Sequence, residues 1–123
     1  MSAHARSRLG TLGEQAAAAF LEGKGFRIVA KNHRTRRGEV DLVADDGKVL
    51  AFVEVRTRAT DAFGSPAATV DLRKQRRIVL AARDFLARWQ GPERAVRFDV
   101  VAVLDAAGGP VLEHIPDAFP AEA

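Results

Sequence analysis

Two runs in which acids alternate with apolar residues, Gly38-Glu39-Val40-Asp41-Leu42 and Phe52-Val53-Glu54-Val55-Arg56, restrict this chain more than any other feature of its sequence. Val40, Leu42 and Ala44 mark the first run, and Val49, Ala51, Val53 and Val55 the second. That period of two is the signature of half-buried strands. Between the runs lies Asp45-Asp46-Gly47-Lys48, a hairpin turn signal. With Asp46 and Gly47 as a two-residue loop, Glu39 faces Glu54, Asp41 faces Phe52, and the alternating apolar residues share the opposite face. Like charges directly opposed across an antiparallel pair, with Cβ atoms about 5 Å apart, are destabilising. The acids therefore call for a cation. Arg56 is one local partner, but a single guanidinium cannot neutralise Glu39, Asp41 and Glu54 together. A divalent ion can, and Mg²⁺ is usually held by one or two carboxylates with waters and substrate phosphates. The alternative is a wet face, its acids fanned into water and loosely paired to arginines.

A chain of 123 residues, 47% of them hydrophobic, fits one domain with its own core. The expected domain is 1–123, with tails at 1–8 and 117–123. Cysteine is absent, which excludes disulfides, thiolate chemistry and cysteine-based zinc sites and fits a reducing compartment. His4, His33 and His114 lack metal-ligand spacing. The basic start has no secretory apolar run and no stretch approaches membrane-spanning length, so the expectation is a cytoplasmic protein without a membrane partner. The formal charge is only +3, yet Arg34, Arg36 and Arg37 precede the acidic hairpin while Arg58, Arg73, Lys74, Arg76 and Arg77 follow it. Basic flanks around an acidic centre suit a polyanion whose phosphates are held while one of them meets a metal. A solvated basic surface is the plainer explanation.

Thr11 and Glu14 match a capping box, and Gly23 and Gly25 a stop, predicting a first helix over 11–24 with Leu12, Ala16, Ala19 and Phe20 as its apolar stripe. Strands are predicted over 26–30, through the hairpin, over 96–104 and over 111–115. Residues 60–66 read as a loop. Asp71 is a plausible cap for a second helix over 72–90, striped by Ile78, Ala81, Ala82, Phe85, Leu86 and Trp89. Its crossover makes the strand over 96–104 parallel to the second hairpin strand. The order is αβββαββ: an α/β or α+β fold, a mixed sheet flanked by helices.

An acid on one strand, followed across a hairpin by Glu-x-basic, is the arrangement that metal-assisted phosphodiester hydrolysis requires. Asp41, Glu54 and Arg56 fit those parts, and Glu54 and Arg56, two apart on a strand, point to one face. With Phe52-Val53-Glu54-Val55-Arg56-Thr57-Arg58, the Gly38-Glu39-Val40-Asp41 strand resembles the PD-(D/E)XK nuclease superfamily. Together with Gly13-Glu14, Arg73-Lys74-Gln75-Arg76-Arg77, Arg97-Phe98-Asp99-Val100-Val101 and His114-Ile115-Pro116, it is more closely similar to the YraN family of uncharacterised endonucleases, related to archaeal Holliday-junction resolvases. The resemblance implies a restriction-endonuclease-like fold and a Mg²⁺- or Mn²⁺-dependent endodeoxyribonuclease acting on branched or structured DNA, with DNA rather than RNA as its nucleic-acid partner. It makes Asp41 and Glu54 the principal metal ligands, with the Val55 carbonyl as a further one, brings Glu14 to the site, and lets Glu39 tune the site or bind a second ion. Gln75 would bind a ligand or its phosphate, or else brace the helix end; Asp99 reads as structural. By analogy the resolvase relatives suggest a homodimer. Arg56 stands where the superfamily usually has Lys: Arg can replace a fixed charge, but it cannot replace a base that must shed a proton. A nucleic-acid-binding module without turnover, and a scaffold whose arginines contact an acidic protein, are therefore the alternatives.

Overall fold

The computed structural model describes residues 3–58, 70–106 and 108–121, with side chains from residue 10 onward in the first segment and up to 104 in the second. The predicted loop over 60–66 lies outside the described residues. Helix α1 is Ala3–Gly23, followed by strands β1 (Arg27–Arg34), β2 (Glu39–Asp45) and β3 (Val49–Arg58), then helix α2 (Leu72–Arg88) and strands β4 (Ala95–Ala106) and β5 (Gly109–Ile115). The predicted element order is the observed one. A single five-stranded sheet takes the spatial order β1-β2-β3-β4-β5. Neighbours are antiparallel except β3 and β4, which the α2 crossover makes parallel. The fold is α+β, a mixed sheet between two helices, consistent with a restriction-endonuclease-like core.

Both faces of the sheet are covered. Ile78, Val79, Ala81 and Ala82 of α2 pack on Val43, Leu50, Phe52, Phe98 and Val100. Ala17, Ala18 and Leu21 of α1 pack on Leu42, Ala44, Ala51, Val53 and Val101. The α2 stripe is the expected one, and Asp71 caps it by accepting from Lys74 N at 2.9 Å. Trp89 has left the helix: it is the C-cap, in extended conformation, with its ring against Phe85 and its indole N–H donating to Pro92 O.

Helix α1 departs further from expectation. It begins at Ala3, so residues 3–8 are helical rather than a tail and Thr11 lies inside the helix rather than at its cap. Leu12 is 56% exposed, and the face on the sheet is Gly13, Ala17, Ala18 and Leu21. Small residues win there because they let the helix axis come close. A Cβ on Gly13 would collide with the Thr57 hydroxyl on β3. At the other end Phe119 is buried and stacked on Phe98 at 5.3 Å, so 117–123 is not simply a tail.

The hairpin register also differs. Leu42 pairs with Val53, Val43 with Phe52 and Asp45 with Leu50, leaving a longer loop than two residues. Asp46 explains it: its Oδ1 accepts from both Lys48 N and Val49 N, closing a wider turn with Gly47 at φ 95°. Carried one residue on, this register puts Asp41, not Glu39, across from Glu54. Nor do Val40, Leu42 and Ala44 share a face. Val40 joins the α2-side core and Leu42 the α1-side core. The alternation breaks at Asp41, and Asn32, between the paired residues Lys31 and His33 across from it, takes φ 52°.

Candidate functional site

Asp41 and Glu54 meet where the N-terminal end of β2 crosses the middle of β3. Asp41 Oδ2 accepts from the Val55 N–H at 2.8 Å, so its carboxylate takes a backbone donor of β3. Val55, expected to lend a carbonyl, is seen lending its N–H. Burial is the largest influence on Asp41 and pushes its carboxyl up to about 7; the negative charge on Glu54 adds to the rise, the Val55 N–H opposes it, and Glu14 adds to it again. Glu14 is half-buried on α1, and its negative charge is felt at Asp41 as one of the smaller influences.

Glu54 is 4% exposed and is held from the other side of the sheet. Lys74 Nζ lies 2.9 Å from its Oε1, and Arg56 Nε 3.8 Å from the same oxygen. Sequence reasoning placed Lys74 only among contacts to nucleic acid. Here the first turn of α2 sets an ammonium beside the buried carboxylate, and Asp71, by capping that turn, positions it. Gly38 lets α2 approach: a Cβ there would collide with the Arg77 carbonyl.

The remaining predicted residues divide. Glu39 stands apart from the pair, accepting from Arg34 Nε at 2.8 Å and lining a hollow with Asp71, Arg73, Lys74 and Arg77. Gln75 donates its side-chain amide to Val70 O at 2.9 Å, the helix-end alternative weighed for it. Arg76 is exposed on α2, Arg58 is half-buried at the end of β3, and Arg34, Arg36 and Arg37 line a second hollow farther along α2. Asp99 is structural. It accepts from Arg97 at 2.8 and 2.9 Å, from Asp117 N at 3.0 Å and from His114 Nε2 at 2.7 Å. Burial works against its charge, but those donors outweigh burial and hold the carboxyl below its usual range. Lys24 Nζ donates to His114 Nδ1 at 2.7 Å, which leaves the ring proton on Nε2, facing Asp99. This network ties β4 and β5 to the end of α1, away from the Asp41–Glu54 pair.

Among the described residues no three His, Cys, Asp or Glu side chains gather into a metal cage. Two adjoining carboxylates, with Asp41 held from ionising by burial and by the charge of Glu54, do fit a hard divalent cation that keeps most of its waters. No helix among the described residues is long and apolar enough to cross a membrane.

A family model described as "Uncharacterised protein family UPF0102" matches residues 13–103, which include Glu14, Asp41, Glu54 and Lys74. The chain is 56% identical over 114 residues to a UPF0102 protein of Anaeromyxobacter dehalogenans, covering 93% of this chain and 85% of that one. A UPF0102 protein of Geobacter metallireducens is 43% identical over 119 residues, 97% of each chain. One from Nocardia farcinica is 46% identical over 115 residues, 93% of this chain and 91% of that one.

Proposed function

The chain belongs to the uncharacterised family UPF0102, and from that premise and the Asp41–Glu54 pair we propose that it is a metal-dependent nuclease hydrolysing phosphodiesters of DNA, branched or structured forms included. The observation that carries the reading is Asp41 itself. A carboxyl pushed up to about 7, by burial first and by the charge of Glu54 second, carries a standing electrostatic cost that a bound cation would relieve. Mg²⁺ or Mn²⁺ held by Asp41 and Glu54, with the Val55 carbonyl as a further oxygen, would polarise a phosphate and acidify a water.

The protein's own groups prepare that site in distinguishable ways. The Val55 N–H fixes the orientation of Asp41. Lys74 and Arg56 place two cations on Glu54, at 2.9 and 3.8 Å, where a phosphate would also find positive charge. Arg56 keeps its proton throughout and acts as fixed charge. Lys74 supplies, from α2, the ammonium that the strand lacks.

The same two cations favour a second reading, a nucleic-acid-binding module without turnover, since they already compensate Glu54. Cleavage of branched, linear and single-stranded DNAs with Mn²⁺, for the wild type and for Asp41→Ala and Glu54→Ala, separates the two. The nuclease loses cleavage in both variants and in chelator while still binding DNA. Binding without cleavage of any DNA by the wild type would leave only the module.

A further inference from the structure

The second hollow lies between the β1–β2 turn and the outer ridge of α2. Arg34, Arg36 and Arg37 of the turn face Arg83 and Arg88 of the helix. Asp84, the acid among these lining residues, is already engaged by His33 Nε2 at 2.8 Å and Arg88 Nε at 3.4 Å. Arg34 and Arg88 each have a carboxylate partner, Glu39 and Asp84, but five guanidiniums around one hollow still repel each other, and those two pairs do not account for the gathering of all five.

The hollow is continuous with the acidic site. Arg34 holds Glu39, and Glu39 lines the hollow beside Lys74, so the two depressions meet at that ion pair. Residues 73, 77, 80, 84 and 88 follow three- and four-residue spacing and form one ridge of α2. At 1.5 Å per residue the ridge runs roughly 22 Å, the axial length of about six base pairs. Among the described residues no aromatic side chain lines either hollow, and Leu80 is the large apolar residue of the second. Single strands are held by stacking on aromatic rings, and duplexes by their phosphates.

We propose that this arginine-lined groove is a backbone-binding track for double-stranded nucleic acid, gripping the phosphates of a duplex that extends from the Asp41–Glu54 pair along α2. The proposal rests on the reading of that pair as a phosphodiesterase centre and adds a substrate class to it. Arg83 and Arg88, which lie outside the basic runs around the hairpin, become binding residues. Contacts of this kind carry no base specificity.

The test measures binding of a duplex DNA of roughly 20 base pairs and of one of its strands, in EDTA, from about 50 to 200 mM salt. Wild type, Arg36→Glu/Arg83→Glu and the milder Arg36→Ala/Arg83→Ala are compared, both substituted positions being on exposed walls of the groove in the folded chain. The track predicts tighter binding of duplex than of single strand, at least about tenfold weaker duplex binding after charge reversal, and a salt dependence reduced by about two contacts. The alanine pair weakens binding less, with an unchanged melting temperature. Duplex binding by the charge-reversed protein equal to wild type, single strand bound as tightly as duplex, or no binding by wild type would each overturn the track. Mn²⁺-dependent thermal stabilisation, followed in the same proteins and in Asp41→Asn, reports on the metal centre separately. A metal response that survives while the groove variants bind normally sinks the track alone, and a missing metal response with groove-dependent binding sinks the centre alone.

Discussion

Asp41 sits in a position that folding alone would not select. Its carboxyl is pushed up to about 7 from an ordinary 3.8 by burial first and by Glu54 second. The folded chain therefore holds a proton there that the unfolded chain has lost, and stability falls as pH rises from about 4 to 7 and stays reduced above. Asp41→Asn removes that penalty: denaturant unfolding should show a gain of ~1–2 kcal/mol at pH 8 that disappears near pH 4. A variant less stable than wild type at pH 8 would mean the carboxylate is compensated in the free protein. Asp99 makes the contrast. Its charge is satisfied by Arg97, His114 and Asp117 N, and Asp99→Ala should cost about 2–4 kcal/mol in the same measurement, since it strands a buried imidazole and a half-buried guanidinium. The acids of the pair were legible because alternation marks strands and acids interrupt it. Their partners were not: Lys74 reaches Glu54 from a helix start 20 residues downstream by number, and His114 reaches Asp99 from a different strand, contacts that no local period encodes.

Among the elements, the hairpin shows how one turn residue redirects a site. The pattern identified both strands, but the Asp46 carboxylate widened the turn and moved the partner of Glu54 from Glu39 to Asp41. A shift of this size is invisible to alternation, because moving a partner by two residues keeps every side chain on its face. Helix α1 was misphased for a related reason: in a run rich in alanine, apolarity does not say which side is buried, and the close approach at Gly13 and Ala17 decides it. Gly13→Ala should therefore cost ~1–3 kcal/mol by forcing α1 off β3. It should also lower the pH at which Asp41 titrates, as Glu14 moves away, which carboxyl NMR would register. Stability loss with an unchanged titration would separate the helix from the site.

Taken whole, the molecule is a sheet sandwiched between two helices, and each helix brings a charge to one pair of carboxylates: Glu14 from one side and Lys74 from the other. The αβββαββ order and the parallel β3–β4 pair followed from the sequence, since only a helical crossover fits between those strands. The way the basic segments converge did not, because Arg34 and Arg88 become neighbours of one hollow only once α2 lies along the β1–β2 turn. Arg56→Lys, which keeps the charge but permits deprotonation, should leave DNA binding within about threefold and reveal in cleavage assays whether fixed charge suffices. The proposed activity stands on Asp41 and Glu54 together forming a divalent-cation site. Calorimetric titration of Mn²⁺ into wild type and Asp41→Asn/Glu54→Gln between pH 6 and 8 tests it most directly. Such a site gives wild type one class of binding whose affinity rises with pH and levels off above about 7, as Asp41 loses its proton, and the double variant none. Equal Mn²⁺ binding by both proteins, or none by wild type at pH 8, would contradict it.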